Sequence, residues 1–398
     1  DTVWCDSSLV EITVDDDLLG VLGSKVYELT TTYDPVGVSG VQASGEYAAG
    51  TDITDDLVNL SDEVQEVTYH FQPRIKDPRG TNPSFFCDGG SAHSITIYLN
   101  PTPKLSVVVP EEIYCDSSTV DITVNDGTGT VFSENTKVYQ LTTTYTAGAV
   151  EGVQADGEYA AGLDISDDLV NLTQEVQQID YHFKARIRDD RPDHAGSFCD
   201  QGGDTTITIY LNPTPVMSVS VADTVWCDLS TVDITVNDDL LGVLGSKVYQ
   251  LTTTYDLLGV SGVQPSGEYA AGTDISDDLI NLSGEVQEIT YHFQPRIKDP
   301  RGTNPTFFCD GGSAHSITIY LNPTPKLSVS VPEEIYCDSS TVDITVNDGT
   351  GTVFSENTKV YQLTTTYAVG AVEGVQPSGE YAADLDISDD LVNLTPVS

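Results

Sequence analysis

Glu66-Val67-Thr68-Tyr69-His70-Phe71-Gln72-Pro73-Arg74-Ile75-Lys76 sets Val67, Tyr69, Phe71, Pro73 and Ile75 against Thr68, His70, Gln72 and Arg74. A period of two over eleven residues predicts a long β-strand with one buried face. The same reading extends outward. Val10, Ile12 and Val14 alternate with Glu11 and Thr13; Tyr27, Leu29, Thr31 and Tyr33 share a side; Ile95, Ile97 and Leu99 alternate with Thr96 and Tyr98. Between these runs lie turn-forming stretches such as Ser44-Gly45-Glu46 and Asp88-Gly89-Gly90. No window carries a helical apolar stripe. About seven short strands in some 110 residues predict an antiparallel two-sheet sandwich.

The pattern recurs. Trp4-Cys5-Asp6, Tyr114-Cys115-Asp116, Trp226-Cys227-Asp228 and Tyr336-Cys337-Asp338 are spaced by 110, 112 and 110 residues. Residues 1–110 and 223–332 differ at 14 of 110 positions, and 124–137 recurs unchanged at 346–359. The order is A-B-A-B. Each complete repeat closes on Tyr-Leu-Asn-Pro-Thr-Pro, at 98–103, 210–215 and 320–325. Two prolines around one residue cannot continue a sheet and favour a short, stiff connector. The expected domains are 1–103 (type A, without its opening strand), 104–215 (type B), 216–325 (type A) and 326–398 (type B, short of its last strands). The whole reads as an all-β, extended array of tandem Ig-like sandwiches, a window onto a longer array.

The charge excludes some partners. Against 62 acidic residues stand 16 basic ones, a net charge of -46. Such a chain repels nucleic acids and anionic lipid surfaces, so neither is expected as a partner. No apolar run approaches the roughly 20 residues of a membrane span, and no basic segment followed by an apolar one opens the chain, so neither a span nor a signal peptide is expected.

Seven cysteines fall regularly along the repeats. One intradomain disulfide per repeat is the expectation: Cys5–Cys87, Cys115–Cys199 and Cys227–Cys309, with the partner of Cys337 beyond Ser398. Bonds of this kind require an oxidising, extracellular setting. The absence of CxxC pairs and clustered histidines argues against a transition-metal site; buried free thiols are the bland alternative.

Candidates for chemistry are weak. His70, His182 and His292 occupy one outward strand position in successive repeats, and His93, His194 and His315 complete the set. Nothing distinguishes one repeat as catalytic, and no enzyme activity is expected. Asp15, Asp16 and Asp17, Asp52 with Asp55 and Asp56, and Asp164 with Asp167 and Asp168 offer oxygen ligands of the kind calcium takes, but none forms an EF-hand loop. The choice between structural Ca²⁺ and a solvated acidic loop stays open; no other cofactor is expected. Arg74, Lys76 and Arg79, then Lys184, Arg186, Arg188 and Arg191, then Arg296, Lys298 and Arg301 hold ten of the 16 basic residues. They read as counter-charge to an acidic neighbouring domain rather than as a ligand patch. Tyr47 and Tyr98 are the aromatic candidates for a glycan-binding array. Asn59, Asn171, Asn281 and Asn393 each open an Asn-x-Ser/Thr triplet.

The ordered set Leu57-Val58-Asn59-Leu60, Val67 to Pro73, Cys87-Asp88-Gly89 and Ile95 to Pro103 resembles PKD-like (polycystic-kidney-disease-like) repeats. The Trp-Asp-Phe-Gly-Asp-Gly signature of PKD domains proper is absent. The resemblance implies a very large Bacteroidota surface protein, such as the gliding-motility adhesins exported by type IX secretion. It implies neighbouring repeats, surface polysaccharide or substratum, and the motility machinery as partners. It also likens Asp1-Thr2-Val3, Asp204-Thr205-Thr206 and Asp223-Thr224-Val225 to the O-glycosylation triplet of that phylum. The expected role is a structural stalk giving reach and strength to a cell-surface adhesin; a glycan- or calcium-binding repeat array is the alternative.

Overall fold

The computed structural model describes residues 2–77, 79, 86–299 and 308–395 of the 398-residue chain. Two compact units, Asp1–Pro213 and Thr214–Ser398, each hold an A and a B repeat.

In the first unit the A repeat is built from nine strands, β1 (Val3–Trp4), β2 (Ser8–Ile12), β3 (Ser24–Tyr33), β4 (Val38–Ser39), β5 (Gly45–Ala48), β6 (Ile53–Asn59), β7 (Gln65–Lys76), β8 (Phe86–Cys87) and β9 (His93–Leu99). One sheet runs β1-β9-β7-β3-β5, with β8 on the far end of β7; the facing sheet is β2-β6-β4. The decisive segment is indeed the long central strand, and its alternation is why it can be central. Val67, Tyr69 and Phe71 point into the core while His70 faces out. β1 pairs in parallel with β9, Val3 opposite Tyr98 and Trp4 opposite Leu99. All other ladders of the repeat are antiparallel.

The B repeat of this unit continues with β10 (Leu105–Val108), β11 (Ile113–Tyr114), β12 (Ser118–Asp126), β13 (Asn135–Tyr145), β14 (Val150–Glu151), β15 (Gly157–Ala160), β16 (Ile165–Asn171), β17 (Gln177–Asp189), β18 (Phe198–Cys199) and β19 (Asp204–Leu211). Its sheets are β11-β19-β17-β13-β15, with β18 on β17, and β10-β12-β16-β14. Here the opening strand β10 forms the edge, Val107 opposite Val124. The architecture is an Ig-like sandwich, two sheets with alternate residues meeting between them.

Each core is one continuous cluster. In the A repeat it joins Val10, Leu29, Leu57, Tyr69, Ile97 and Leu99; in the B repeat, Val120, Leu141, Leu169, Tyr181, Phe183 and Leu211. Burying each such side chain stabilises the fold by about 1.5–3 kcal/mol. Tyr69 and Tyr181 are fully buried, which demands a partner for the phenol. Asp55 and Asp167 provide it on the facing strand: each accepts the tyrosine O–H at 2.6 Å, and a backbone N–H, from Gln42 and Gln154, at 2.8 Å.

The second unit repeats the design. In its A repeat Met217–Val221, Ser230–Asp238, Ile275–Asn281 and Val260–Ser261 form one sheet; Val225–Cys227, His315–Asn322, Gln287–Lys298, Ser246–Thr254 and Gly267–Ala270 form the other. In its B repeat the strands Leu327–Ser330, Ser340–Asp348, Ile387–Asn393 and Val372–Glu373 form a four-stranded sheet, and Val360–Leu363 pairs with Gly379–Ala382.

Candidate functional site: the joint between successive repeats

Strand register separates the cysteines expected to pair. Cys5 follows Trp4, which lies opposite Leu99; Leu99 in turn lies opposite Gln65 at the start of β7. Cys87 lies opposite Ile75, near the end of the same strand. Ten residues of strand (65 to 75) at about 3.3 Å each put the two ends roughly 33 Å apart, whereas a disulfide needs Cα atoms about 4.4–6.8 Å apart. The Cys5–Cys87 bond is therefore excluded by the fold. Cys5 instead bonds Cys199 of the next repeat, Cα–Cα 5.3 Å. Cys115–Cys199 falls with it, because Cys199 is taken. Cys227–Cys309 falls too: Cys227 is a free, exposed thiol while Cys309 is disulfide-bonded. Cys115 is also disulfide-bonded, and Cys87 and Cys337 are free and exposed. The bond of the first unit is a staple between repeats.

Around the staple the polar groups are specific. Glu63 accepts the Thr130 N–H at 2.7 Å and the Thr130 hydroxyl. These bonds hold the Glu63 carboxyl below its ordinary range. Thr130 C=O accepts the Val64 N–H at 2.8 Å, so the chain segments run side by side across the joint. Asn100, in the connector, accepts the Phe132 N–H at 2.9 Å, while Tyr98 packs on the Phe132 ring at 4.7 Å. Lys104 pairs with Asp62. Thr102, between the two prolines, donates to Asp6, whose other oxygen accepts the Asn59 N–H at 2.8 Å. The approach needs Gly129: a Cβ there would stand 2.1 Å from the Asp62 carbonyl oxygen. The connector is thus anchored on both sides, which Pro-Thr-Pro alone did not reveal.

The second unit has the same joint between its own two repeats. Thr352 N–H reaches Glu285 at 2.7 Å, Val286 N–H reaches the Thr352 carbonyl at 2.9 Å, and Phe354 N–H reaches Asn322 at 2.7 Å. Tyr320 packs on Phe354 at 4.7 Å, and Gly351 lies where a Cβ would meet the Gly284 carbonyl at 2.0 Å. Cys227 opens there onto a cleft of about 420 Å³ that also involves Asn322, Pro323 and Asn357.

The other sequence candidates resolve into structure. Most of these basic residues meet acids of their own repeat. Arg74 meets Glu28, Lys76 meets Glu46, Arg79 meets Asp77, Lys184 and Arg186 face Asp200, Arg188 meets Glu158 and Asp190, Arg191 meets Asp189, and Lys298 meets Glu268. Arg74, Arg186 and Arg296 also sit over Phe86, Phe198 and Phe308, at 5.1, 4.8 and 5.2 Å. Each phenylalanine precedes a cysteine, so the arginines clamp the cysteine-bearing strand to the sheet. Arg301 and Asp1 lie outside the described residues.

Tyr47 stacks on Tyr27 at 5.6 Å and its hydroxyl bonds Gln42 and Ala43, while Tyr98 belongs to the joint. His70, His182 and His292 bond Ser94, Thr206 and Ser316 across strands, all exposed. Asn59, Asn171 and Asn281 are buried, and each amide donates to two backbone carbonyls, Leu99, Leu211 and Leu321 among them, all at 2.9 Å.

The acidic candidates disperse. Asp16 pairs with Lys25, Asp52 accepts the Val14 N–H, and Asp55 serves Tyr69. Asp15, Asp16 and Asp17 lie on the segment after β2, whereas Asp55 and Asp56 point to opposite faces of β6. Asp164 accepts the Val124 N–H, Asp167 serves Tyr181 and Asp168 accepts from Thr119. Among the described residues no three His, Cys, Asp or Glu side chains are grouped to hold a metal ion. No helix among them is long and apolar enough to cross a membrane.

No family model and no curated protein matches the chain. Several solved structures are similar in part. The ICAM-5 D1–D4 ectodomain fragment aligns at 10% identity and TM-score 0.33, over 96% of this chain and 91% of that one. The D00–D0 domain of intimin aligns at 11% identity and TM-score 0.24, over 54% and 98%. The native conformation of E. coli alpha-2-macroglobulin aligns at 9% identity and TM-score 0.22, over 86% of this chain, which spans about a quarter (24%) of that protein. Values this low carry no functional argument.

Proposed function

We propose that this chain is a structural stalk segment of an extracellular, cell-surface adhesin, non-enzymatic, whose repeats transmit load and provide reach. The observation that carries the reading is the Cys5–Cys199 bond, which joins one repeat to the next at a joint already braced by Glu63, Asn100 and Gly129. A disulfide between repeats requires an oxidising compartment and joins the two sandwiches covalently. The resemblance to PKD-like repeats extends the proposal to a Bacteroidota adhesin exported by type IX secretion and acting in attachment or gliding, with substratum or surface polysaccharide as the target of parts other than this segment. The domain divisions at 103, 215 and 325 belong to the same reading.

Small-angle X-ray scattering tests it. A compact body of this length has a radius of gyration of roughly 21 Å. Four repeats of about 35–40 Å placed end to end give a value well above that, and a value near the compact one overturns the stalk. Glycan-array binding by the whole chain would favour the binding-array alternative.

A further inference from the structure

One side chain of the joint leaves half of its amide unused. Asn100 is fully buried; its main-chain N–H donates to the Trp4 carbonyl at 2.9 Å, and its Oδ1 accepts the Phe132 N–H at 2.9 Å. Its Nδ2 carries two donors, yet it is buried and has no hydrogen-bond partner among the described residues. Asn59, in the same repeat, directs its amide donors to the Glu63 and Leu99 carbonyls. A sealed donor without a partner is costly, and native proteins keep such groups where they serve strain or chemistry.

The residue that follows narrows the chemistry. Pro101 is buried, and so is Pro103. Asparagine ordinarily ages by attack of the following main-chain nitrogen on the side-chain carbonyl, which needs an N–H that proline lacks. The reverse attack remains open, from Nδ2 onto the main-chain carbonyl carbon of Asn100 itself. Both atoms belong to one residue and close a five-membered ring, so the step is unimolecular. As Nδ2 gives up a proton, charge builds on Oδ1, where the Phe132 N–H already points.

We propose that Asn100–Pro101 is a self-cleaving bond. Nδ2 forms a bond to the Asn100 carbonyl carbon, the bond from that carbon to the Pro101 nitrogen breaks, and one Nδ2 proton moves to that nitrogen. The products are a chain ending in a succinimide at residue 100 and a chain beginning with a free Pro101. No co-reactant is consumed, and water enters only when the ring later opens. The joint keeps its covalent continuity, because the Cys5–Cys199 bond spans the cut. In the second unit Asn322 also precedes a proline and accepts the Phe354 N–H at 2.7 Å.

The test keeps the whole oxidised chain in neutral buffer with protease inhibitors for several weeks and reads its mass before and after reduction. The expected result is a single mass without reduction. After reduction, fragments 1–100 and 101–398 should appear with masses that add up to that of the reduced chain, the first trapping hydroxylamine at its terminal ring. Scission should be at least about tenfold slower in the chain unfolded by guanidinium, which loses the Phe132 contact. Asn100→Ala should abolish it. Pro101→Ala keeps the amide and restores a following N–H, so it should turn scission into deamidation at residue 100; the Cys5–Cys199 bond in a non-reducing peptide map reports that each variant has folded. A folded chain that stays whole after reduction, or that is cut no faster than the unfolded one, overturns the proposal. So does scission that persists in Asn100→Ala, which would make a protease the agent.

Discussion

Cutting the Cys5–Cys199 bond should change how the first unit yields to force far more than how it looks at rest. The bond closes a loop with a sequence separation of 194. The chain-entropy relation gives about 5 kcal/mol for a loop of that size at 25 °C. The mechanical effect is larger. With force applied through attachments at Thr2 and Asn212, the covalent path runs from residue 5 through the sulfur atoms to residue 199, and everything between is bypassed. That hidden chain would stretch to roughly 640–700 Å if unfolded. In single-molecule force spectroscopy the oxidised protein should rupture with only a short extension from the residues outside the loop. The reduced protein, or Cys199→Ser, should release two long steps of some 100 residues each, one per sandwich. Equal extensions in the two states would refute the bypass, and with it the reading of the joint as a load-bearing staple.

Four other outcomes follow from the same structure. Asn59→Ala removes two amide bonds, to Glu63 and Leu99 carbonyls, and the acceptor of Ser61 N–H; a loss of about 2–4 kcal/mol should appear in urea unfolding, and mass spectrometry of protein made in a glycosylating host should find Asn59 unmodified once folded. Tyr181→Phe leaves buried Asp167 without its phenol at a cost of about 1–3 kcal/mol at neutral pH. Burial already raises the Asp167 carboxyl above its ordinary value and the phenol bond opposes that rise. The folded group is thus the weaker acid, its charged form is the costly one, and the penalty should shrink as the pH falls through its folded pKa, read as a variant-minus-wild-type difference in denaturation across pH 4–8. Gly129→Val should prise the joint open at the Asp62 carbonyl and speed proteolysis within Pro101–Lys104, yet on a non-reducing gel the cut halves should stay together through the staple. Acid should act on the same joint. The folded Glu63 carboxyl titrates below its unfolded value, so its contribution is present above about pH 4.3 and is lost as the pH falls through the lower folded value, measurable as faster cleavage of the connector.

The fold was legible because both central strands of each sandwich show their burial in alternate letters: Val67, Tyr69, Phe71 on one, Ile95, Ile97, Leu99 on the other. Disulfide pairing was not. One pair per repeat looks sufficient when only order along the chain is known, but a strand of 12 residues carries its two ends apart. That length was already in the sequence, and placing Cys5 and Cys87 against it would have separated them. The joint was legible only as a connector, because Glu63, Thr130 and Phe132 are ordinary loop residues until register brings them together. Asn59 was hidden for the opposite reason: its triplet carries a familiar meaning unrelated to its buried amide. The arginines over Phe86 and Phe198 were read as charge alone, although each also lays its flat face on a ring.

The parallel pairing of β1 with β9 has a consequence for how a taut array takes up strain. Only Val3 and Trp4 lie in that ladder ahead of the staple. With force applied at Thr2, this seam is loaded ahead of the sulfur atoms. On the proposed stalk reading, a seam that small would close again between pulls and leave the core behind it packed.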